Sequence, residues 1–411
     1  MRTKLNLKLI QESARQLSQK SEKDKNVFLR NLAEILERNT KVILEANKKD
    51  IEVAVKKNLP AAFIQRLILD ENGIKKLILK LINLQKLESG IGCVLDKKIL
   101  GNGILLQRVV VPIGVIMVIY EARPEVTIDV AALGVKSGNA VILKGGSEAI
   151  YTNKALYECI RKALVKSSLA GEFVSFIEDR DFVNQLLKQN NSIDLVIARG
   201  GYEMVKKVTN KSKIPVLSHS AGGARIYIDK SANLTEALDI LVNAKISKPA
   251  ACNSLDAILI HKEVEDSFIV ELVKLLANFH VTVLGDNKIS ALTGVKKTTK
   301  KDWDTEFLGL TVLMKMVKNA EEAIDFINKH TKRHSEGIVA EDKDTINKFT
   351  SCVDAAAIFI NCSTRFHDGF EFGMGSEIGI ATGKLHARGP VGLQELTTYK
   401  WEAYGNGQIR K

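Results

Sequence analysis

Val109-Val110-Val111 and Val115-Ile116-Met117-Val118-Ile119, then Val126 to Val135, then Ser137-Gly138-Asn139, then Ala140-Val141-Ile142-Leu143: this stretch decides the fold. The opening apolar runs read as a buried strand, because a half-exposed strand alternates apolar and polar residues. A helix-like stretch follows, then a turn triplet, then a second short strand. Strand, helix, turn and strand in quick succession make the repeating unit of a parallel sheet. The alternation continues outward. Helix Asn153 to Val165 leads to strand Phe173–Ile177, and helix Phe182 to Lys188 leads to strand Asp194–Ala198. Helix Tyr202 to Thr209 leads to Ile214-Pro215-Val216-Leu217. These features predict a doubly wound α/β sheet.

A second alternating series runs from about Asn233 to Asn361. Its strands fall near Ala257–Ile260, His280–Leu284, Leu310–Met314, Gly337–Ala340 and Ala356–Ile360. Its helices fall near Leu234–Leu241, Val264–Leu276, Ala320–Asn328 and Asp344–Ser351. Residues 1 to about 95 read as helices, with apolar residues at helical spacing in Val27, Leu29, Leu32, Leu36 and in Ile74, Leu77, Ile78, Leu81. Gly101-Asn102-Gly103 between two extended segments predicts a hairpin around residues 96–110.

The bulk numbers narrow the class. A chain of 411 residues with 45% hydrophobic content has room for two or three domains with real cores. Its five cysteines, Cys93, Cys159, Cys252, Cys352 and Cys362, are scattered, and no pair has CxxC spacing. Neither a disulfide framework nor a structural zinc site is indicated, and a reducing cytoplasm is the expected compartment. The amino terminus lacks the apolar core of a signal peptide, and no stretch approaches membrane-spanning length. The net charge of +12 raises the question of a nucleic-acid binder. The lysines are dispersed, however, with no basic stripe and no interleaved aromatics, so no nucleic-acid partner is expected. A lysine-rich surface that attracts small anions is the better reading.

Cys252 is the chemically loaded residue. It follows Lys245-Ile246-Ser247-Lys248-Pro249-Ala250-Ala251 and precedes Asn253-Ser254, just ahead of the strand at Ala257. A polar loop broken by proline presents a thiol rather than packing it. Nearby cations such as Lys245 and Lys248 favour the thiolate, a strong nucleophile near neutral pH.

Four segments together resemble the gamma-glutamyl phosphate reductase family of the aldehyde dehydrogenase superfamily. They are Val111-Pro112-Ile113-Gly114-Val115-Ile116 with Tyr120-Glu121-Ala122-Arg123-Pro124; Ser137 to Gly146; the Cys252 loop; and the tail from Ser363-Thr364-Arg365-Phe366 to Lys384-Leu385-His386-Ala387-Arg388-Gly389-Pro390. The resemblance covers essentially the whole chain. It departs from the family pattern at Glu125, Ala250-Ala251 and Gly309.

The resemblance implies an aldehyde-dehydrogenase-like α/β fold with two doubly wound parallel-sheet domains and a small oligomerisation hairpin. The expected boundaries are 1–95 with 111–224 for cofactor binding, 225–390 for catalysis, and 96–110 with 391–411 for oligomerisation, in at least a homodimer. It also implies a reaction in proline biosynthesis. L-Glutamyl 5-phosphate, supplied by a separate glutamate 5-kinase, is reduced with NADP(H) to L-glutamate 5-semialdehyde and phosphate. Alternatives are an aldehyde dehydrogenase with another acyl donor such as an acyl-CoA, or an idle scaffold of the same fold.

The chemistry distributes roles. Cys252 is the nucleophile that displaces phosphate from the acyl group. The superfamily's usual asparagine oxyanion donor is missing, so Asn253 or the backbone N–H groups around Cys252 are the candidates. The segment Leu217 to Gly223 stands where hydrolytic relatives carry a water-activating glutamate, and it has none. An enzyme that reduces its thioester needs no activated water. His219 in that segment is a candidate for proton transfer or a positional histidine. Arg123 is a candidate for the substrate carboxylate or phosphate, or for an ion pair with Glu121 or Glu125.

No GxGxxG or GxxxxGK[ST] sequence is present. The superfamily instead places a strand-end lysine on the adenosine ribose, which Lys144 matches. Ser147 stands where NAD-preferring relatives have a glutamate, leaving room for a 2′-phosphate. Arg199-Gly200-Gly201 between strand and helix is either a pyrophosphate site or an ordinary glycine-rich connection. Glu306 resembles the glutamate that holds the nicotinamide ribose, or is a surface acid. Arg365, His386 and Arg388 lie in glycine-rich loops and either contact the substrate's phosphate or carboxylate or order those loops. No metal is expected.

Overall fold

The structure is a computed structural model and describes residues 5–169, 171–218 and 222–410. It divides into two compact units. One comprises residues 1–218, 372–379 and 390–411; the other comprises 219–371 and 380–389.

The first unit begins with helices α1 (Leu7–Ser18), α2 (Glu22–Arg38), α3 (Thr40–Lys56), α4 (Ala61–Leu67) and α5 (Glu71–Lys86). Ser21 and Asp24 close a capping box on α2, which satisfies orphan N–H groups at its start. Then come β1 (Val94–Ile99), β2 (Leu105–Pro112), β3 (Val115–Tyr120), α6 (Val126–Lys136), β4 (Ala140–Lys144) and α7 (Ile150–Lys166). The unit continues with β5 (Val174–Phe176), α8 (Arg180–Leu186), β6 (Leu195–Arg199), α9 (Tyr202–Lys211) and β7 (Val216–Ser218).

Strands β3 to β7 form a parallel sheet in the order β5-β4-β3-β6-β7. The chain starts at the centre, winds out one way and then the other, as a doubly wound sheet does. Every residue of β3 and β4 is buried. Each buried Val or Ile contributes about 1.5–3 kcal/mol relative to exposure. That is why these runs are apolar without alternation.

The turn between α6 and β4 is a staple. Asn139 accepts the Gly114 N–H at 2.8 Å and donates to the Leu396 carbonyl at 2.8 Å. It thereby ties the start of β3 to the tail. Gly114 sits at φ +131°, and a Cβ there would strike the Asp194 carboxylate. That carboxylate accepts the Val115 N–H at 2.8 Å.

The second unit runs β8 (Ala224–Ile228), α10 (Leu234–Ile246), β9 (Leu255–His261), α11 (Asp266–Asn278), β10 (Thr282–Gly285) and α12 (Asn287–Thr293). It continues with β11 (Lys296–Lys297), β12 (Thr311–Val317), α13 (Ala320–His330), β13 (Ser335–Val339), α14 (Lys343–Cys352) and β14 (Ala357–Ile360). These strands make a parallel sheet ordered β11-β10-β12-β9-β8-β13-β14. The short β15 (Ile380–Ala381) and β16 (Gly389–Pro390) pair with each other.

The last strand, β17 (Thr397–Tyr404), belongs to the first unit and pairs antiparallel with β2, which also pairs with β1. The expected hairpin is thus one side of a three-stranded sheet.

Two readings of the sequence change. Val109-Val110-Val111 lies in β2, not in the buried central strand, because Pro112-Ile113-Gly114 ends one strand before the next begins. Strand β8, which lies between β9 and β13, had no counterpart in the predicted series. Among the described residues no helix is long and apolar enough to cross a membrane.

Candidate active site

The Cys252 loop joins α10 to β9, at the amino end of a strand rather than at the carboxyl end, where open α/β sheets usually bind ligands. Two short turns shape it. The Ala251 N–H donates to the Lys248 carbonyl at 3.0 Å, and the Ser254 N–H donates to the Ala251 carbonyl at 3.1 Å. Cys252 is half-buried. Gly222 and Gly223 pass directly against it. A Cβ on Gly222 would collide with Cys252 Cβ and come within 2.5 Å of its carbonyl oxygen. Gly223, at φ +116°, donates its N–H to the Cys252 carbonyl at 2.6 Å. The glycine pair exists to let these two backbones meet. His219, in the same segment, lies outside the described residues.

Asn253 is buried, and its side chain is fully engaged. Its amide donates to the His367 carbonyl at 3.0 Å and to the Arg365 carbonyl at 3.4 Å. Its amide oxygen accepts from the Arg365 guanidinium. Its backbone carbonyl accepts the Thr364 hydroxyl at 2.8 Å. With both amide hydrogens on carbonyls, this conformation leaves none for an oxyanion. The side chain instead holds Arg365, whose Nε donates to Ser247 Oγ at 3.2 Å. Burial weakens the charged form of Arg365, while Cys252, Asp368 and Glu371 act in the opposite direction. A thiolate at Cys252 therefore favours the charged guanidinium.

Beneath the loop lie four buried charges, of which sequence reading singled out Lys245 alone, as a cation for the thiolate. Lys245 donates to the Leu255 carbonyl at 2.8 Å and lies 3.6 Å from Asp256. Arg225 pairs with Glu336 at 3.3 Å across neighbouring strands. Burial lifts the Asp256 carboxyl to about 6, against the pull of Lys245 and Arg225. Asp256 also accepts the backbone N–H of Phe307, so it anchors the segment that carries Glu306. Glu306 itself is half-buried. The one signal available for these residues was an arginine and a glutamate at the starts of apolar runs.

Arg388 and His386 sit elsewhere on the second unit. Arg388 donates to Asp354 at 2.7 Å, and the same carboxylate takes Lys384 at 3.0 Å and Arg333 at 3.4 Å. In this conformation Arg388 therefore orders its loop. His386 is exposed, at φ +66°. A buried chain of hydrogen bonds runs His334 Nδ1, Ser335 Oγ, His367 Nδ1, each link 2.8 Å. Burial depresses His334 to about 4 and His367 to about 3, so both rings are neutral at pH 7. No group of His, Cys, Asp and Glu suited to a metal ion occurs among the described residues.

The first unit carries the expected cofactor residues other than Glu306, which belongs to the second. Lys144 ends β4, buried, with Nζ 2.6 Å from the Gly145 carbonyl. Burial lowers its pKa; Glu148 raises it, Arg180 lowers it and Asp179 raises it. Ser147 beside it is exposed. A buried strand-end cation next to an exposed small hydroxyl fits the ribose phosphate of a dinucleotide. At Arg199-Gly200-Gly201 two of the donors are in use. The Gly201 N–H donates to the Glu121 carboxylate at 2.7 Å, and Arg199 donates to the Ile378 carbonyl. Arg123 is half-buried on the turn before α6.

Two doubly wound sheets, a thiol loop and an antiparallel flap together define a class. A sequence model of the aldehyde dehydrogenase family matches residues 7–300. The chain is 42% identical over the full length of both chains to a gamma-glutamyl phosphate reductase of Caldanaerobacter subterraneus subsp. tengcongensis. It is 43% identical to that of Clostridium tetani, over 98% of this chain and 97% of the relative. The crystal structure of the Thermotoga maritima gamma-glutamyl phosphate reductase superposes with a TM-score of 0.93 at 39% identity, covering 98% of this chain and 99% of that one. The chain belongs to the aldehyde dehydrogenase family and, within it, to the gamma-glutamyl phosphate reductases. An acetylating aldehyde dehydrogenase of Geobacillus thermoglucosidasius, at 16% identity and TM-score 0.73, shares the fold.

Proposed function

We infer that this enzyme reduces L-glutamyl 5-phosphate with NADPH to L-glutamate 5-semialdehyde and phosphate, in proline biosynthesis, through a thioester on Cys252. The observation that carries the reading is the Cys252 thiol on a turn cleared by Gly222, followed in the chain by Asn253, which with Ser247 holds the Arg365 guanidinium.

Cys252 attacks the acyl carbon, the C–O bond to phosphate breaks, and a thioester remains. Arg365 suits the departing dianion, because a planar guanidinium can give it two parallel hydrogen bonds. Asn253 acts by positioning that arginine, and backbone N–H groups of the thiol loop remain the candidates for the oxyanion. Lys144 and Ser147 are the residues that would hold the ribose phosphate of the cofactor, with Glu306 on the nicotinamide ribose. When bound, the reduced nicotinamide supplies the hydride that takes the thioester to the aldehyde level. The Leu217–Gly223 segment carries no glutamate, which protects the thioester from water.

Assembly into at least a dimer through β1, β2 and β17 fits their exposed apolar side chains, Leu95, Ile99, Tyr399 and Trp401 among them.

Running the reaction backward tests the reading. With glutamate semialdehyde and NADP+, turnover should require inorganic phosphate and vanish in Cys252→Ala. Turnover without phosphate would make water the acyl acceptor and overturn the scheme.

A further inference from the structure

We propose that Arg180 is the second cation of a clamp, with Lys144, for the 2′-phosphate of NADPH. The inference rests on the NADP reading above and deepens it.

The geometry begins with two adjacent parallel strands. Strands β4 and β5 pair Leu143 with Phe176, and the Ile177 N–H still donates to the Leu143 carbonyl at 2.9 Å. Lys144 is the next residue on one strand, and Arg180 follows three residues after Ile177 on the other. Lys144 therefore ends its strand, and Arg180 opens α8, at the same carboxyl edge of the sheet. That edge is where open α/β sheets take nucleotides, and where an arginine accommodates a 2′-phosphate in dinucleotide folds. Arg180 is near enough to Lys144 for its charge to depress the lysine's pKa.

Two like charges at one sheet edge repel each other, and Glu148 and Asp179 offset that repulsion at Lys144. No acid among the described residues, however, forms an ion pair with either cation. Asp179 accepts the Asp181 N–H at 2.8 Å as a cap. Glu178 pairs with Lys154 at 2.8 Å. Glu148 folds back over Gly146, where a Cβ would collide with its carboxylate. No hydrogen bond or ion pair to a described residue engages the exposed Arg180 guanidinium. Lys144, Arg180 and the exposed Ser147 thus place two cations and a hydroxyl at one edge of the sheet, the donor set a phosphate dianion takes.

The test uses adenosine fragments, so that it does not depend on turnover. Binding of 2′,5′-ADP and of 5′-AMP to the full-length enzyme is measured by calorimetry, for wild type, Arg180→Ala and Arg180→Lys. Wild type should prefer 2′,5′-ADP by roughly tenfold or more, the size of one or two hydrogen bonds to charged groups. Arg180→Ala should weaken 2′,5′-ADP by about 10–100-fold and leave 5′-AMP within about twofold, and Arg180→Lys should recover part of the loss. A wild-type preference that survives in Arg180→Ala overturns the clamp and leaves the NADP reading standing. Equal weakening of both fragments also overturns it. A wild type without any preference overturns the NADP reading and the clamp together.

Discussion

At the scale of single residues, the proposed scheme makes Cys252, Asn253 and Arg365 one device. Asn253 bonds both ends of the 365–367 turn and the arginine's guanidinium. If its role is to position Arg365, the two substitutions are not additive. Arg365→Ala and the double variant Asn253→Ala/Arg365→Ala should then have kcat/KM values within about threefold of each other. A double variant whose losses multiply would return Asn253 to oxyanion donation. Arg365→Lys should lower kcat/KM by about 10–100-fold through loss of the planar fork, with Tm nearly unchanged. Cys252 was legible in the sequence because a polar, proline-broken loop is a poor place to bury a thiol. The anchoring of Arg365 was not, because its partner Asn253 stands 112 residues away and only the fold joins them.

At the scale of elements, the thiol loop depends on the close passage of Gly222. Gly222→Ala should displace the loop and lower activity by about 100-fold or more, read as kcat together with the rate of Cys252 alkylation. Unchanged alkylation would separate the glycine from the thiol's placement.

Strand β13 carries a pH dependence. His334, the residue just before it, and the neighbouring His367 are pushed well below the ordinary 6.5 by burial. A depressed pKa means that the unfolded chain binds protons the fold refuses. Stability is full above about 6.5 and is lost as pH falls toward 4. For His334 the loss between pH 7 and pH 5 is roughly 2 kcal/mol. Denaturant melts at the two pH values should show a smaller acid loss in His334→Asn than in wild type. An equal loss would place the sensitivity elsewhere.

The strands and helices with uninterrupted apolar runs were readable, and β8 was not. Arg225 cuts Ala224 off from the short apolar run Ile226-Tyr227-Ile228, and its neutralising partner Glu336 is 111 residues away. A buried ion pair looks like a solvated loop until both halves are in place.

At the scale of the whole molecule, the two doubly wound units were legible because their strand and helix periods alternate without interruption. The three-stranded sheet was half legible. Gly101-Asn102-Gly103 announced the hairpin, while the β2–β17 pairing needed the tail to return to it. Its exposed residues give an assembly prediction. Ile99→Glu with Trp401→Glu should reduce the oligomer toward monomer by light scattering, while leaving the far-ultraviolet circular dichroism unchanged. A variant that keeps its mass would move the interface off this sheet.

The central claim is a covalent one: the acyl group passes through Cys252. It is tested most directly by incubating the enzyme with glutamate semialdehyde and NADP+ in the absence of phosphate, then mapping the adduct by peptide mass spectrometry. The account predicts a glutamyl thioester on Cys252 alone, discharged by added phosphate or hydroxylamine and missing in Cys252→Ala. An adduct on another of the five cysteines, or phosphate-dependent turnover that survives alkylation of Cys252, would contradict it.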